Sequence, residues 1–142
     1  MILLDTNVLS EPLRVAPNAN VLAWIDAQAL ETLFLSAISL AELRFGIAAL
    51  PQGRRRETLQ SSLDQLVLPN FKGRILPFTD STSQAYADMR ARARASGKAI
   101  APTDGYIAAI ALEHGLAVAT RDKSPFEAAG VPVIDPWAWI AH

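Results

Sequence analysis

Five short apolar runs punctuate the chain: ILL at 2–4, LFLSA at 33–37, RILPF at 74–78, LAVAT at 116–120 and VPVI at 131–134. Runs of this length without polar alternation suit strands buried on both faces, as in a parallel sheet. The segments between them carry helical signals. NANVLAWIDAQ (18–28) has Asn18 or Asn20 as N-cap and apolar residues at 21, 22, 24 and 25. SLAELRFGIAAL (39–50) is closed by Pro51 and Gly53, and RRRETLQSSLDQLV (54–67) puts Leu59, Leu63, Leu66 and Val67 on one face. Asp80 can cap STSQAYADMRARARAS, which ends near Gly97; PTDGYIAAIALEHG (102–115) reads as a further helix and RDKSPFEAAG (121–130) as a turn. Strands alternating with helices define an α/β domain whose mostly parallel sheet is covered on both faces.

At 142 residues, with no linker, repeat or low-complexity tract, the expectation is one domain over 1–142. There are no cysteines, which excludes disulfides and thiolate metal sites, and His114 and His142 alone make a poor zinc site. The first ten residues lack a basic leader and no apolar stretch reaches the ~20 residues of a membrane helix, so the expected location is the cytoplasm, with no membrane partner. The formal charge of -1 gives no overall attraction to nucleic acid. That average changes if four acids are committed to cations, which leaves 13 basic residues against 14 − 4 = 10 acidic ones.

Four acids fall where such commitment makes sense. Ligands of open α/β sheets bind outside the carboxyl ends of the strands. Asp5 directly follows ILL, Glu42 lies early in the helix after LFLSA, Asp104 opens the PTDGYIAAIA helix, and Asp122 follows LAVAT. Each also has a structural explanation. Ser39-x-x-Glu42 spells a capping box, Asp104 favours a helix dipole behind Pro102, Asp122 can begin a turn, and Asp5 can cap a short helix. Together these explanations weaken, because four carboxylates on one rim repel one another unless a cation or proton intervenes. An all-oxygen ligand set suits Mg²⁺ or Mn²⁺, and such ions suit hydrolysis at phosphorus.

In order, DTNVLSEPLR, SAISLAELRFGI, PTDGYIAAIA and LAVATRD resemble the PIN-domain ribonucleases, specifically the VapC toxins and their Fit-type relatives of bacterial toxin-antitoxin pairs. The resemblance spans nearly the whole chain. It implies a three-layer α/β/α sandwich and a metal-dependent endoribonuclease that leaves a 5′-phosphate and a 3′-hydroxyl on RNA. Carried over residue by residue, Asp5, Glu42, Asp104 and Asp122 match the catalytic and metal-binding acids, with Asp5 and Asp104 as direct ligands of Mg²⁺ or Mn²⁺. Asn7 and Thr120 match polar positions that orient those acids. The resemblance further implies a homodimer and a small cognate DNA-binding antitoxin that lays a segment over the active site. Operator DNA would be contacted only through that antitoxin.

Two other enzyme and signalling classes are disfavoured by the same stretch. A haloacid dehalogenase-type phosphatase needs D-x-D-x-T or V, and Asn7 and Leu9 stand at the second and third of those positions. Receiver modules carry paired acids after the first strand, where Asp5 stands alone. A PIN domain that only binds RNA would be expected to lack some of the acids, and all four are present. Arg54, Arg55 and Arg56 form one basic run, and Arg90, Arg92, Arg94 and Lys98 another in which Arg90 and Arg94 share a helix face. Both runs are compatible with plain solvated surface or with guiding phosphate. Trp137 and Trp139 read as packing groups, and Leu43, Phe45 and Ile47 as core or as a dimer face.

Overall fold

The structure is a computed structural model that describes residues 1–140; His142 lies outside the described residues. Five strands, β1 (Ile2–Leu4), β2 (Leu33–Ser36), β3 (Ile75–Leu76), β4 (Ala117–Ala119) and β5 (Val133–Ile134), form one sheet in the order β3-β2-β1-β4-β5. All four pairings are parallel, and Leu4 lies between Leu35 on one side and Ala119 on the other. Among the described residues, seven α-helices surround the sheet: α1 (Thr6–Ser10), α2 (Ala19–Ala27), α3 (Ala37–Ala48), α4 (Arg54–Ser62), α5 (Asp80–Ala95), α6 (Pro102–His114) and α7 (Ser124–Ala128). The expected three-layer α/β/α sandwich is therefore present.

Strand alternation divides the core into two layers. Leu3 and Val118 pack with Met89, Ile107, Ile110 and Phe126 from α5, α6 and α7. Leu4, Leu35 and Ala119 pack on the other face with Val8, Val21, Trp24, Leu43, Ile47 and Leu63. The path out of β1 thus runs to one face and the path out of β4 to the other. These neighbouring strands form a topological switch point, where the two departing loops leave a crevice at the carboxyl edge.

Several local expectations change. Asn18 rather than Asn20 caps α2, accepting from the amides of Asn20 and Val21. Helix α5 begins one residue early, because Thr79 and Thr82 make the reciprocal cap and Asp80 becomes the first helical residue. SPFEA, within the segment read as a turn, is the short helix α7, started by a Pro in its first turn. The amphipathic run after Arg54 does not continue as one α-helix. It opens into a π-type turn over Leu63–Val67, and the wider turn leaves Leu63 fully buried but Leu66 70% exposed. Leu43 and Ile47 join the core, whereas Phe45 is exposed. Among the described residues, no helix is long and apolar enough to cross a membrane.

Candidate active site at the sheet switch point

Asp5 sits at the end of the central strand and is only 6% exposed. Its backbone amide continues the ladder to the Ala119 carbonyl at 3.0 Å, which draws the carboxylate into the crevice between β1 and β4. There Oδ1 accepts from the Thr6 amide at 2.8 Å, capping α1. Oδ2 accepts from the Thr120 hydroxyl at 2.8 Å and from the Asn7 side-chain amide at 3.4 Å. The capping role considered for Asp5 is therefore real, and it occupies only one of the two carboxylate oxygens' preferred directions.

Thr120 and Asn7 lock the crevice across 113 residues of sequence. The Asn7 amide also reaches Thr120 Oγ1 at 3.2 Å, and Asn7 Oδ1 accepts from the Arg121 amide at 3.3 Å. The Asp122 amide donates to Thr120 Oγ1 at 3.0 Å, fixing the turn that carries the Asp122 side chain. Arg121 itself lays its guanidinium over Trp137, 5.2 Å from the ring centroid, consistent with packing duty for that tryptophan. Thr120→Val keeps the shape but removes one donor to Asp5 and the acceptor for two others. Divalent-cation affinity is expected to fall about 10- to 100-fold, with Thr120→Ser close to wild type, in a Mn²⁺ titration followed by calorimetry.

Glu42 reaches the rim by a different route from the one its sequence motif suggests. Helix α3 starts at Ala37, and Ser36 is the N-cap, its Oγ accepting from the Ser39 amide at 2.9 Å. The Ser39-x-x-Glu42 capping box does not form, because Ser39 is already inside the helix and Glu42 lies in its second turn. Glu42 Oε1 instead accepts from the Thr6 hydroxyl at 2.6 Å. Thr6 thus joins the site as a residue not singled out from sequence. Its only advance signal was a hydroxyl directly after Asp5.

Asp104 occupies the first turn of α6, which Pro102 opens. Its neighbour Gly105 is required by close packing. A Cβ built there would stand 2.9 Å from Tyr86 Cε2, and Tyr86 is held edge-on to Phe78 and against Tyr106. Gly105→Ala is expected to destabilise the protein by about 1–2 kcal/mol in urea unfolding, overpacking outweighing the gain in helix propensity.

The acids are electrically coupled. Burial raises the Asp5 carboxyl to about 6, its hydrogen bonds from Thr120 and Thr6 oppose the rise, and Asp104 and Glu42 add to it. The Asp104 carboxyl is also raised, by burial first and then by Asp122 and Glu42. Asp104 thus lies within the field of the other three acids, and Asp5 within that of Asp104 and Glu42. Among the described residues, none of the four forms an ion pair with a basic side chain, and no three acidic or histidine side chains close into a ready-made cation cage. An oxygen-only rim of mutually repelling carboxylates fits a hydrated Mg²⁺ or Mn²⁺, which takes one or two carboxylates directly and reaches the others through water.

Comparisons with known proteins agree with this architecture. The PIN domain pattern matches residues 2–131. The chain is 59% identical over 137 residues to a VapC ribonuclease, Y4jK, of Sinorhizobium fredii, covering 96% of this chain and 98% of that one. It is 54% identical to the toxin FitB of Neisseria gonorrhoeae, covering 96% and 99% of the two chains. It superposes on a chain of the FitAB complex bound to an IR36 DNA fragment with a TM-score of 0.95 at 51% identity, covering 100% and 99%. An acid-lined parallel sheet of this topology, matched over nearly its full length, places the chain in the PIN-domain family, on the branch of the VapC and FitB toxins.

Proposed function

We propose that this protein is a divalent-cation-dependent endoribonuclease and the toxin of a VapBC-type pair, its single domain acting in the cytoplasm. One observation carries the reading. Asp5 is clamped by Thr120 across the switch point while coupled to Asp104 and Glu42, with no basic side chain pairing any of them among the described residues. Such an arrangement is costly for folding alone and makes sense as a cation site.

Asp5 and Asp104 are the proposed direct ligands of Mg²⁺ or Mn²⁺, with Glu42 and Asp122 acting through water. The cation, when bound, supplies positive charge that activates water and offsets the charge gathering on the phosphate. The chain's own residues do the positioning. Thr120 and Asn7 hold Asp5 Oδ2 in place, Thr6 fixes Glu42 through its hydroxyl, and Thr120 restrains the Asp122 turn. An acid of the rim that the cation does not engage directly is the proposed acceptor for the proton released by water. Hydrolysis then proceeds by direct displacement, with no covalent intermediate on the protein.

The relatives' pairing in FitAB with DNA supports an analogous partner here: a DNA-binding antitoxin that covers the acidic rim, with operator DNA reached only through it. A homodimer of this chain is the proposed toxin unit. The reading is tested by induced expression in bacteria. Growth arrest should follow and should be relieved by co-expressing the adjacent small open reading frame. Purified protein should also cleave single-stranded RNA internally and leave DNA of the same sequence intact. Unimpeded growth together with intact RNA would overturn it.

A further inference from the structure

We propose that a basic groove beside the Asp104 turn is the track for the sugar-phosphate backbone of single-stranded RNA approaching the acidic rim. This rests on the ribonuclease reading and names the surface that would serve it. The groove encloses about 490 Å³ and is lined by Tyr86, Arg90 and Arg94 of α5 and by Lys98 and Ile100 of the segment leading to α6.

The groove is built by sequence rather than left over between helices. Arg90 and Arg94 lie one turn apart on α5. Gly97 then adopts φ +74°, and the Lys98 amide turns back to the Ala93 carbonyl at 2.8 Å, which returns the chain beside Arg94. Arg90 is held by the Tyr86 hydroxyl at 2.8 Å and lies over the Tyr86 ring, neither of which cancels its charge. Among the described residues, no carboxylate pairs with Arg90, Arg94 or Lys98, and no acid lines the groove. In a chain with more acids than bases, three uncompensated cations along one groove are a localised anion-binding surface.

Its position links it to the chemistry. Tyr86 and Ile100, two walls of the groove, also pack on Gly105 together with the buried Met89, at 2.9 and 3.7 Å from its Cβ position. Asp104 is the residue immediately before. A phosphate chain lying on Arg94 and Arg90 would therefore pass along the wall that supports one of the four acids. Backbone contacts of this kind are indifferent to sequence and leave base selection to other surfaces.

The test uses the full chain and a fluorescein-labelled oligouridylate. Binding is measured by anisotropy across a salt series in the Asp104→Asn background, which blocks cleavage. Replacing Arg90, Arg94 and Lys98 together by Ala should reduce the slope of log K against log salt by about 2, at about 0.7 per lost phosphate contact, and weaken binding about 10- to 100-fold at 0.1 M salt. With the acids intact, the same triple variant should raise KM and leave kcat near wild type. A charge-preserving variant, R90K/R94K/K98R, should keep the slope, and Arg92→Ala, outside the groove, should change it by less than one contact. An unchanged slope and KM in the triple variant, beside a wild type that does cleave RNA, would overturn the groove while sparing the ribonuclease reading. A wild type that cleaves no RNA would instead sink that reading. Unaltered RNA binding with a shifted oligomeric state by light scattering would overturn the proposal by assigning the groove to a second copy of the chain.

Discussion

Asp104→Asn is expected to lower RNA cleavage about a thousandfold while the protein remains folded. The side chain is nearly isosteric, stands in the first turn of α6 and makes none of the hydrogen bonds that lock the crevice. What it loses is a full negative charge at the rim. Several kcal/mol of lost charge stabilisation, at about 1.4 kcal/mol per decade of rate, corresponds to roughly three decades. Asp5→Asn should be as damaging to cleavage, since it removes the other proposed direct ligand. The assay is single-turnover cleavage of labelled RNA at saturating Mn²⁺, with thermal melts to verify folding. Cleavage within tenfold of wild type in both variants would assign the activity to another site or to a contaminant.

The second large effect is on stability and has the opposite sign. The Asp5 carboxyl titrates near 6 in the folded chain against an ordinary 3.8, so the folded state retains a proton that the unfolded state has already released. Stability of the metal-free protein therefore falls as pH rises from about 4 through about 6, and Asp5 alone accounts for about 2–3 kcal/mol lost by pH 7. The raised Asp104 carboxyl adds in the same direction. Asp5→Asn should flatten this dependence, because the group whose proton affinity differs between the folded and unfolded chain is gone. A divalent cation should restore wild-type stability, by about 2.7 kcal/mol at a hundredfold excess over Kd, and should do so far less at pH 5. Urea unfolding at pH 5 and pH 7, with EDTA and with Mn²⁺, measures all of these. A wild-type protein that is more stable at pH 7 than at pH 5 in EDTA would contradict the assigned environment of Asp5.

Both effects come from features that differ in how openly the sequence shows them. The sheet was legible because ILL, LFLSA and LAVAT are short, apolar and regularly separated, and the register then delivers Asp5 and Thr120 to neighbouring strand ends. The route of Glu42 was not. Ser36 and Ser39 both offer capping chemistry, and spacing alone favours the pair with a glutamate three residues on, whereas the tertiary contact with Thr6 decides otherwise. The π-type turn at Leu63–Val67 was equally hidden, since a regular helical period fits its leucines and only packing of Leu63 against the core shows the face rotating. Gly105 shows the reverse pattern. A weak helix former directly after Asp104 looks like a local defect until the Tyr86 ring is seen to occupy the space that a side chain would need.

The Arg90, Arg94 and Lys98 groove lies between these cases. Helical spacing puts the two arginines on one face, but the return of Lys98 depends on the left-handed turn at Gly97. Its closeness to Asp104 depends on the packing of α5 against α6.

The proposed role of the switch-point acids is to act together as a cation site. Calorimetric titration of Mn²⁺ into metal-stripped wild type, Asp5→Asn and Asp104→Asn tests it most directly. Saturable binding is expected in the wild type, and at least about tenfold weaker binding in each variant. Equal Mn²⁺ affinity in all three proteins, or none in the wild type, would contradict it.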